Sequence, residues 1–155
     1  MKMNTHHDII APIETVFGVL ADTKRWERAS LRRGMQVTRK DEGAGLVMGA
    51  TWDVKATFRG KPREVTLVAS TVTRPNQIVF AGTSNLFDAT ISIDLIELSA
   101  RKTRVSISVE TKPNTLAARI MLQSAKFAKS SIQKRFVDRV GKILAELDER
   151  ITYEM

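Results

Sequence analysis

The chain has 155 residues, enough for one domain that buries roughly two-thirds of its unfolded surface. Its 43% apolar and 27% charged residues are ordinary for a globular protein, and the absence of cysteine excludes disulfides, a thiol nucleophile and cysteine-ligated zinc. No apolar run approaches the length of about 18 residues that a transmembrane helix needs, and the N-terminus lacks the apolar core of a signal peptide, so we expect a cytoplasmic location.

The net charge of +8 directs attention to anionic partners. Residues 22 to 41 hold seven Lys or Arg against three acidic residues, but no aromatic-plus-basic motif accompanies them. The segment predicts a solvated basic face with weak, salt-dependent contact with anionic surfaces and no specific nucleic-acid binding. An interaction module that uses this segment to hold an acidic partner is an alternative.

The first forty residues predict a strand followed by two short helices. Residues 3 to 10 read as the strand, and Pro12 suits the first turn of a helix because that turn has no use for its missing N–H. Asp22 or Thr23 caps the second helix, and Gly34 ends it.

Between residues 35 and 111 the apolar side chains recur at every second position, as in strands with one wet face. Short polar turns divide this region into six strands, and with the first strand they predict a seven-stranded antiparallel meander. Every even position from 46 to 58 is apolar, which places Trp52 inward and Asp53 outward. The glycines at 43, 45 and 49 precede a strand and not a helix, so they indicate turn or bulge geometry and not a phosphate loop.

Past Pro113 the apolar period changes to that of a helix. A single amphipathic helix of about 38 residues would run roughly 57 Å and could cover the inner face of a whole curved sheet. The fold class is therefore α+β. The apolar stripe is composed of Leu116, Ile120, Phe127, Ile132, Phe136, Val140, Ile143, Leu147 and Ile151.

Three stretches carry a resemblance to a known family. Residues 9 to 17 (IIAPIETVF), followed by residues 20 to 22 (LAD) and Trp26, resemble the N-terminal signature of the START-like, birch-pollen-allergen-like superfamily, whose bacterial members are called polyketide cyclase/dehydrase or SRPBCC proteins. The glycine pair at 43 and 45 and the Arg74-Pro75 turn are similar to further parts of the pattern. The resemblance covers residues 1 to 155 as one START-like ligand-binding domain. It implies the helix-grip fold, in which a seven-stranded sheet curves around the C-terminal helix and leaves a cavity, but it does not imply one activity.

The inner face predicted from the alternation is apolar, which is typical of a pocket for a small molecule. We expect the gap to lie under residues 116 to 128, with residues 12 to 34 as its roof. The predicted ligand-binding residues are His7, Met48, Trp52, Val54, Phe58, Phe80, Ile91, Ile93, Ile107, Ile120, Ser124 and Phe127.

The leading functional hypothesis is the binding or transport of a hydrophobic small molecule, such as a lipid, a polyketide-like compound or an aromatic compound. The alternative is an enzyme of the polyketide cyclase/dehydratase type, for which His7 is the weak catalytic candidate. His6 and His7 point to opposite faces of a strand and have no acidic cluster beside them, so we predict no metal. We predict no cofactor either, and the chain is expected to act as a monomer or a dimer.

Overall fold

Seven antiparallel strands form one sheet in the computed structural model, which describes residues 1–58 and 60–154 without the side chains of Phe58 and Glu154. Strands β2 to β7 follow one another as a meander, and β1 closes the order by pairing with β7. The predicted meander is confirmed. The strands are β1 (Lys2–Ile9), β2 (Gln36–Arg39), β3 (Thr51–Phe58), β4 (Lys61–Thr73), β5 (Gln77–Thr83), β6 (Phe87–Ser99) and β7 (Lys102–Pro113).

Four helices accompany the sheet, two after β1 and two after β7. The Asp22 carboxylate accepts the backbone N–H of Arg25 at 3.3 Å and caps the second helix, as predicted. Gly34 follows that helix with a φ of +83°, a conformation that favours glycine. The helices are α1 (Ile13–Leu20), α2 (Thr23–Arg32), α3 (Leu116–Ala125) and α4 (Lys129–Glu154), and a 3-10 turn (Lys126–Ala128) joins the last two into one long rod.

Strand β3 begins later than its alternating pattern predicts. Gly45 and Gly49 have positive φ angles, and the Asp41 carboxylate accepts backbone N–H groups from Gly43 at 3.1 Å and Thr51 at 3.0 Å. These bonds close residues 41 to 51 into a loop, so the apolar even positions before Ala50 do not belong to a strand. From Thr51 onward the alternation holds as predicted.

The core has two parts that lie at different places under the helices. The larger part joins β1, α1 and the C-terminal half of α4 to the sheet through residues such as Ile9, Phe17 and Leu144. The smaller part surrounds Trp52 on β3. Helix α3 contributes only Ala118 to the fully buried set of the described residues.

The inward face of the long rod differs from the predicted stripe. Leu116, Ile120 and Phe127 are exposed, the last of them by 96%. The five-residue step from Phe127 to Ile132 rotates a helix by about 140°, so the predicted stripe combined two opposite faces. The inward face has steps of three, four or seven residues throughout, and it consists of Ala118, Leu122, Ala125, Ile132, Phe136, Val140, Leu144, Leu147 and Ile151.

The register of β3 predicts a contrast between neighbouring substitutions. Trp52→Asp places a charge at a fully buried site and should lower the free energy of unfolding by about 3–5 kcal/mol or more. Asp53→Asn keeps an oxygen for the Thr66 hydroxyl, 2.9 Å away, and should change the free energy of unfolding by less than about 0.5 kcal/mol. Urea midpoints of the two variants measure the contrast, and equal losses would contradict the register.

Candidate functional site

A cavity of about 590 Å³ lies between α2, the concave side of the sheet and the C-terminal half of α4. Twelve of its seventeen lining residues are apolar, so its interior suits a hydrophobic molecule. The lining consists of Val19, Leu20, Arg25, Trp26, Ala29, Arg32, Arg33, Leu67, Phe80, Ile91, Ile93, Ile107, Ile143, Leu144, Glu146, Leu147 and Arg150.

The polar part of the lining is confined to one side. The sheet and α1 supply apolar side chains only, whereas the five charged residues come from α2, its C-terminal cap and α4. Arg32, Arg33, Glu146 and Arg150 are exposed, which puts them at the rim, whereas the sheet residues are half-buried below them. The site therefore has an apolar floor and a predominantly cationic rim.

Two of the rim arginines have no ionic partner among the described residues. Arg33 donates to the Glu146 carboxylate at 2.9 Å and bridges α2 to α4 across the rim. Arg25 lies 3.7 Å from the Asp22 carboxylate. Arg32 and Arg150 make no hydrogen bond or ion pair within residues 1–58 and 60–154. Their charge is available to an anionic group at the rim.

The ion pair across the rim is weak enough to open. The side chains of Arg33 and Glu146 are 42% and 57% exposed, and pairs of this kind contribute about 0–1 kcal/mol. Loss of this ion pair would therefore cost little free energy if α2 and α4 moved apart at this point.

One wall of the cavity rests on a buried aromatic cluster. Trp52 is fully buried. The centre of its ring lies 4.8 Å from the ring centre of Trp26 and 6.1 Å from that of Phe80. Its indole N–H donates to the Glu27 carboxylate at 3.0 Å, which satisfies the one polar group of a buried tryptophan. The hydrogen bond and the ring contacts hold α2 above β3 and β5, and so define the height of the cavity at this end.

Arg39 and Asp41 support the same cluster from the β2 edge of the sheet, where Arg39 is the cross-strand partner of Trp52. The Arg39 guanidinium lies 5.0 Å from the centre of the Trp52 ring and donates to the Asp41 carboxylate at 2.9 and 3.1 Å. The hydrogen bond from Arg39, together with those from the backbone of Thr51 and Gly43, holds the pKa of Asp41 well below its ordinary value. The charged carboxylate thus fixes the arginine that covers the indole.

Four of the predicted ligand-binding residues line the cavity, and all four are on the sheet: Phe80, Ile91, Ile93 and Ile107. Trp52 lies behind Trp26 and Phe80 as their support. Val54 is half-buried on β3 and does not line the cavity, and the Phe58 side chain lies outside the described part of the chain.

Four other predicted residues lie away from this cavity. Met48 is 66% exposed, because it belongs to the loop before β3. Ile120, Ser124 and Phe127 are on the solvent side of the rod, where the Ser124 hydroxyl donates to the Ile120 carbonyl oxygen at 3.3 Å. The predicted position of the gap under residues 116 to 128 is therefore wrong for this cavity, although α1 and α2 roof it as predicted.

His7 faces α4 and not the cavity. Its Nε2 atom lies 3.6 Å from the Asp148 carboxylate, at the contact between β1 and α4. His6, the next residue, is exposed on the other side of the strand, as the alternation predicts. Glu146 is the one carboxylate among the residues that line the cavity, and Arg33 engages it.

The sequence reasoning missed the contributions of α2 and of the end of α4. Arg25, Ala29 and Arg32 have helical spacing that places them on one side of α2, and Trp26 adjoins them. That spacing was visible as an apolar and basic stripe, but the sequence contains no sign that it faces a ligand cavity. Leu67 was detectable, because it lies opposite Trp52 in the β3–β4 pairing and shares its inward face.

No three His, Asp or Glu side chains of the described residues come together as a metal site requires. None of the helices in the described ranges is long and apolar enough to cross a membrane.

No protein-family model and no curated protein matches the sequence. Solved structures do match it. A norcoclaurine synthase point mutant from Thalictrum flavum, in complex with a transition-state analogue, superposes with a TM-score of 0.72 at 10% identity over 99% of this chain and 95% of that one. The fold is the helix-grip.

Two bacterial proteins share this helix-grip fold at similarly low identity. The Zhui aromatase/cyclase from Streptomyces sp. R1128 has a TM-score of 0.60 at 15% identity, over 93% of this chain and 95% of that one. A START superfamily protein from Mycobacterium smegmatis has a TM-score of 0.55 at 10% identity, over 90% and 98% of the two chains. The resemblance noted in the sequence is thus confirmed at the level of the fold.

The lowered pKa of Asp41 predicts a specific part of the acid unfolding. In the unfolded chain this carboxyl titrates near 3.8, whereas in the folded protein it stays charged to lower pH, so its contribution to stability is complete above 3.8 and is lost as the pH falls below that value. Asp41→Asn should flatten the fall of the urea midpoint in this acid range.

Asp8 provides the matched comparison, since the hydrogen bond from Arg104 also lowers its pKa. It lies on β1, at the opposite edge of the sheet from Asp41, so the effects of Asp8→Asn and Asp41→Asn should add. An unchanged slope in the Asp41→Asn variant would contradict the assigned role of the Asp41 carboxylate.

Proposed function

We propose that the protein binds a small hydrophobic molecule that carries one negatively charged group. The observation that supports this most directly is the combination of an apolar floor with a rim on which Arg32 and Arg150 lack ionic partners among the described residues. An apolar body in the cavity recovers dispersion contacts with the walls, and a carboxylate, phosphate or sulfonate group at the rim meets the guanidinium groups.

The size of the cavity supports a ligand of moderate length. A volume of about 590 Å³ falls inside the range of about 300–1,000 Å³ typical of small-molecule sites. The norcoclaurine synthase mutant of the same fold holds a transition-state analogue, which is consistent with a small-molecule site in such a fold. In this proposal residues 1 to 155 act as one ligand-binding domain, in the cytoplasm and without a cofactor.

Binding or transport is better supported than catalysis of the cyclase/dehydratase type. A cavity acid or base is needed for that chemistry, and His7 lies at the β1–α4 contact, beside Asp148. Glu146 reaches the rim, but it is engaged by Arg33. The lining offers hydrophobic contact and cationic recognition, which are sufficient for a carrier.

Filling the cavity should abolish ligand uptake. Ala29 lines the cavity from α2, so Ala29→Trp would place an indole where the apolar part of the ligand lies. The probe is anilinonaphthalene sulfonate, an anionic dye with an apolar body. We expect its affinity, measured from the fluorescence enhancement on binding, to fall at least about tenfold.

Ile120→Trp is the control for this experiment, because Ile120 is on the solvent face of α3. It should bind the dye like the unmodified protein, and circular dichroism should show that both variants are folded. Loss of binding in the Ile120→Trp variant with retention in Ala29→Trp would place the site elsewhere and contradict the proposal.

The charged group of the ligand can be tested separately. Removing both unpartnered guanidinium groups, with Arg32→Gln and Arg150→Gln together, should weaken dodecanoate binding about three- to tenfold, as expected for exposed charge-assisted contacts. Dodecanol binding should not change. Arg28→Gln is the matched control, since Arg28 is exposed on α2 without lining the cavity. Equal losses for dodecanoate and dodecanol, measured by calorimetry, would contradict the anionic specificity.

A further inference from the structure

The N-terminal part of the long rod carries positive charge without compensation. Residues 116 to 137 contain five Lys or Arg and no Asp or Glu, in a chain whose whole net charge is +8. Arg119, Lys126, Lys129, Lys134 and Arg135 are all exposed. Residues 22 to 41 have a similar net charge of +4, but there three acidic residues lie among the basic ones, whereas this part of the rod has none.

The same part of the rod has large apolar side chains on the outside. Leu116, Ile120 and Phe127 are 74%, 58% and 96% exposed and share the solvent side of the rod, whereas the inward side of α3 consists of Ala118, Leu122 and Ala125. An ordinary amphipathic helix buries its large apolar residues in the core, whereas α3 turns only one of them, Leu122, inward.

An open groove lies beside this face. It runs between the edge strand β1 and the 3-10 turn with the start of α4, and it is lined by Lys2, Asn4, Lys126, Phe127, Lys129, Ser130 and Gln133. The Gln133 amide donates to the Asn4 carbonyl oxygen at 3.0 Å and fixes the two sides of the groove together. Three ammonium groups around one groove next to an exposed phenyl ring suit the phosphate of a lipid headgroup.

We propose that the outward face of residues 116 to 135 docks on the surface of an anionic phospholipid bilayer. Its apolar side chains enter the boundary between headgroups and acyl chains, and its Lys and Arg contact lipid phosphates. This proposal stands on the charge and exposure of the rod and does not depend on the cavity.

Other partners match the observations less well. A second copy of the chain would bring two faces of the same sign together, and these would repel each other. A nucleic acid would use the positive charge but would leave Leu116 and Ile120 in water. A bilayer surface accommodates both the charge and the apolar side chains.

Co-sedimentation with vesicles tests the proposal. The full chain should bind vesicles of phosphatidylcholine with about one-third phosphatidylserine at about 0.1 M salt, and binding should weaken strongly at about 0.5 M salt. Lys126→Gln with Lys129→Gln should weaken binding at least about tenfold. Phe127→Ser should weaken it several-fold at both salt concentrations, because it removes an apolar contact.

Each variant has a matched control on the same protein. Lys102→Gln alters an exposed lysine at the β6–β7 turn, and Tyr153→Ser alters a 95% exposed aromatic residue at the far end of α4. Both should bind vesicles normally. All variants should retain dye uptake in the absence of vesicles, so that failure of the docking proposal and failure of the cavity proposal are distinguishable.

Several results would overturn the proposal. They are equal binding to pure phosphatidylcholine, no binding to either vesicle, or equal losses in the controls. Concentration-dependent dimerisation that Phe127→Ser abolishes would identify a second copy as the partner. Binding to RNA tighter than to vesicles, insensitive to Phe127→Ser, would identify a nucleic acid instead.

Discussion

The hydrogen bond from the indole of the fully buried Trp52 to the partly exposed Glu27 carboxylate joins the sheet to α2. Loss of the acceptor would leave a buried N–H without a partner, at a cost of about 1–3 kcal/mol. The Arg39 guanidinium lies 5.0 Å from the centre of the indole ring and is itself held by Asp41. Through these contacts a loop, two strands and a helix determine the distance between the roof and the floor of the cavity.

The cavity exists because the sheet is covered unevenly. Large side chains of α1 and of the C-terminal half of α4, such as Phe17, Leu144 and Ile151, pack against the strands. A second contact forms around Trp52 on β3. Between these two contacts, the sheet residues Ile91, Ile93 and Ile107 are half-buried and line the cavity. Bringing the helices closer would bury the rim arginines against apolar walls, which is unfavourable unless an anion accompanies them.

The two ends of the long rod have opposite relations to solvent. Its C-terminal half buries a continuous apolar stripe, whereas its N-terminal part contacts the sheet through Ala118 and exposes Phe127. On α3 the inward residues are Ala118, Leu122 and Ala125, and the large outward residues remain available for another surface. The C-terminal half of the rod therefore packs in the core, and in our proposal its N-terminal part contacts a membrane.

The sequence by itself determined the order of the strands, the Asp22 cap of α2 and four of the five sheet residues of the cavity, because strand alternation and capping are local properties. Met48 lies in a loop and not in β3, where the alternating pattern placed it. That loop is closed by the hydrogen bond from the Thr51 N–H to the Asp41 carboxylate, ten residues away in the sequence. The spacing of the apolar residues in the long helix allows two stripes on opposite sides. Only the position of the sheet decides which of the two stripes faces inward. Only the tertiary structure decided that the cavity lies beside α2 and the end of α4, because its position depends on where large side chains meet across elements far apart in the chain.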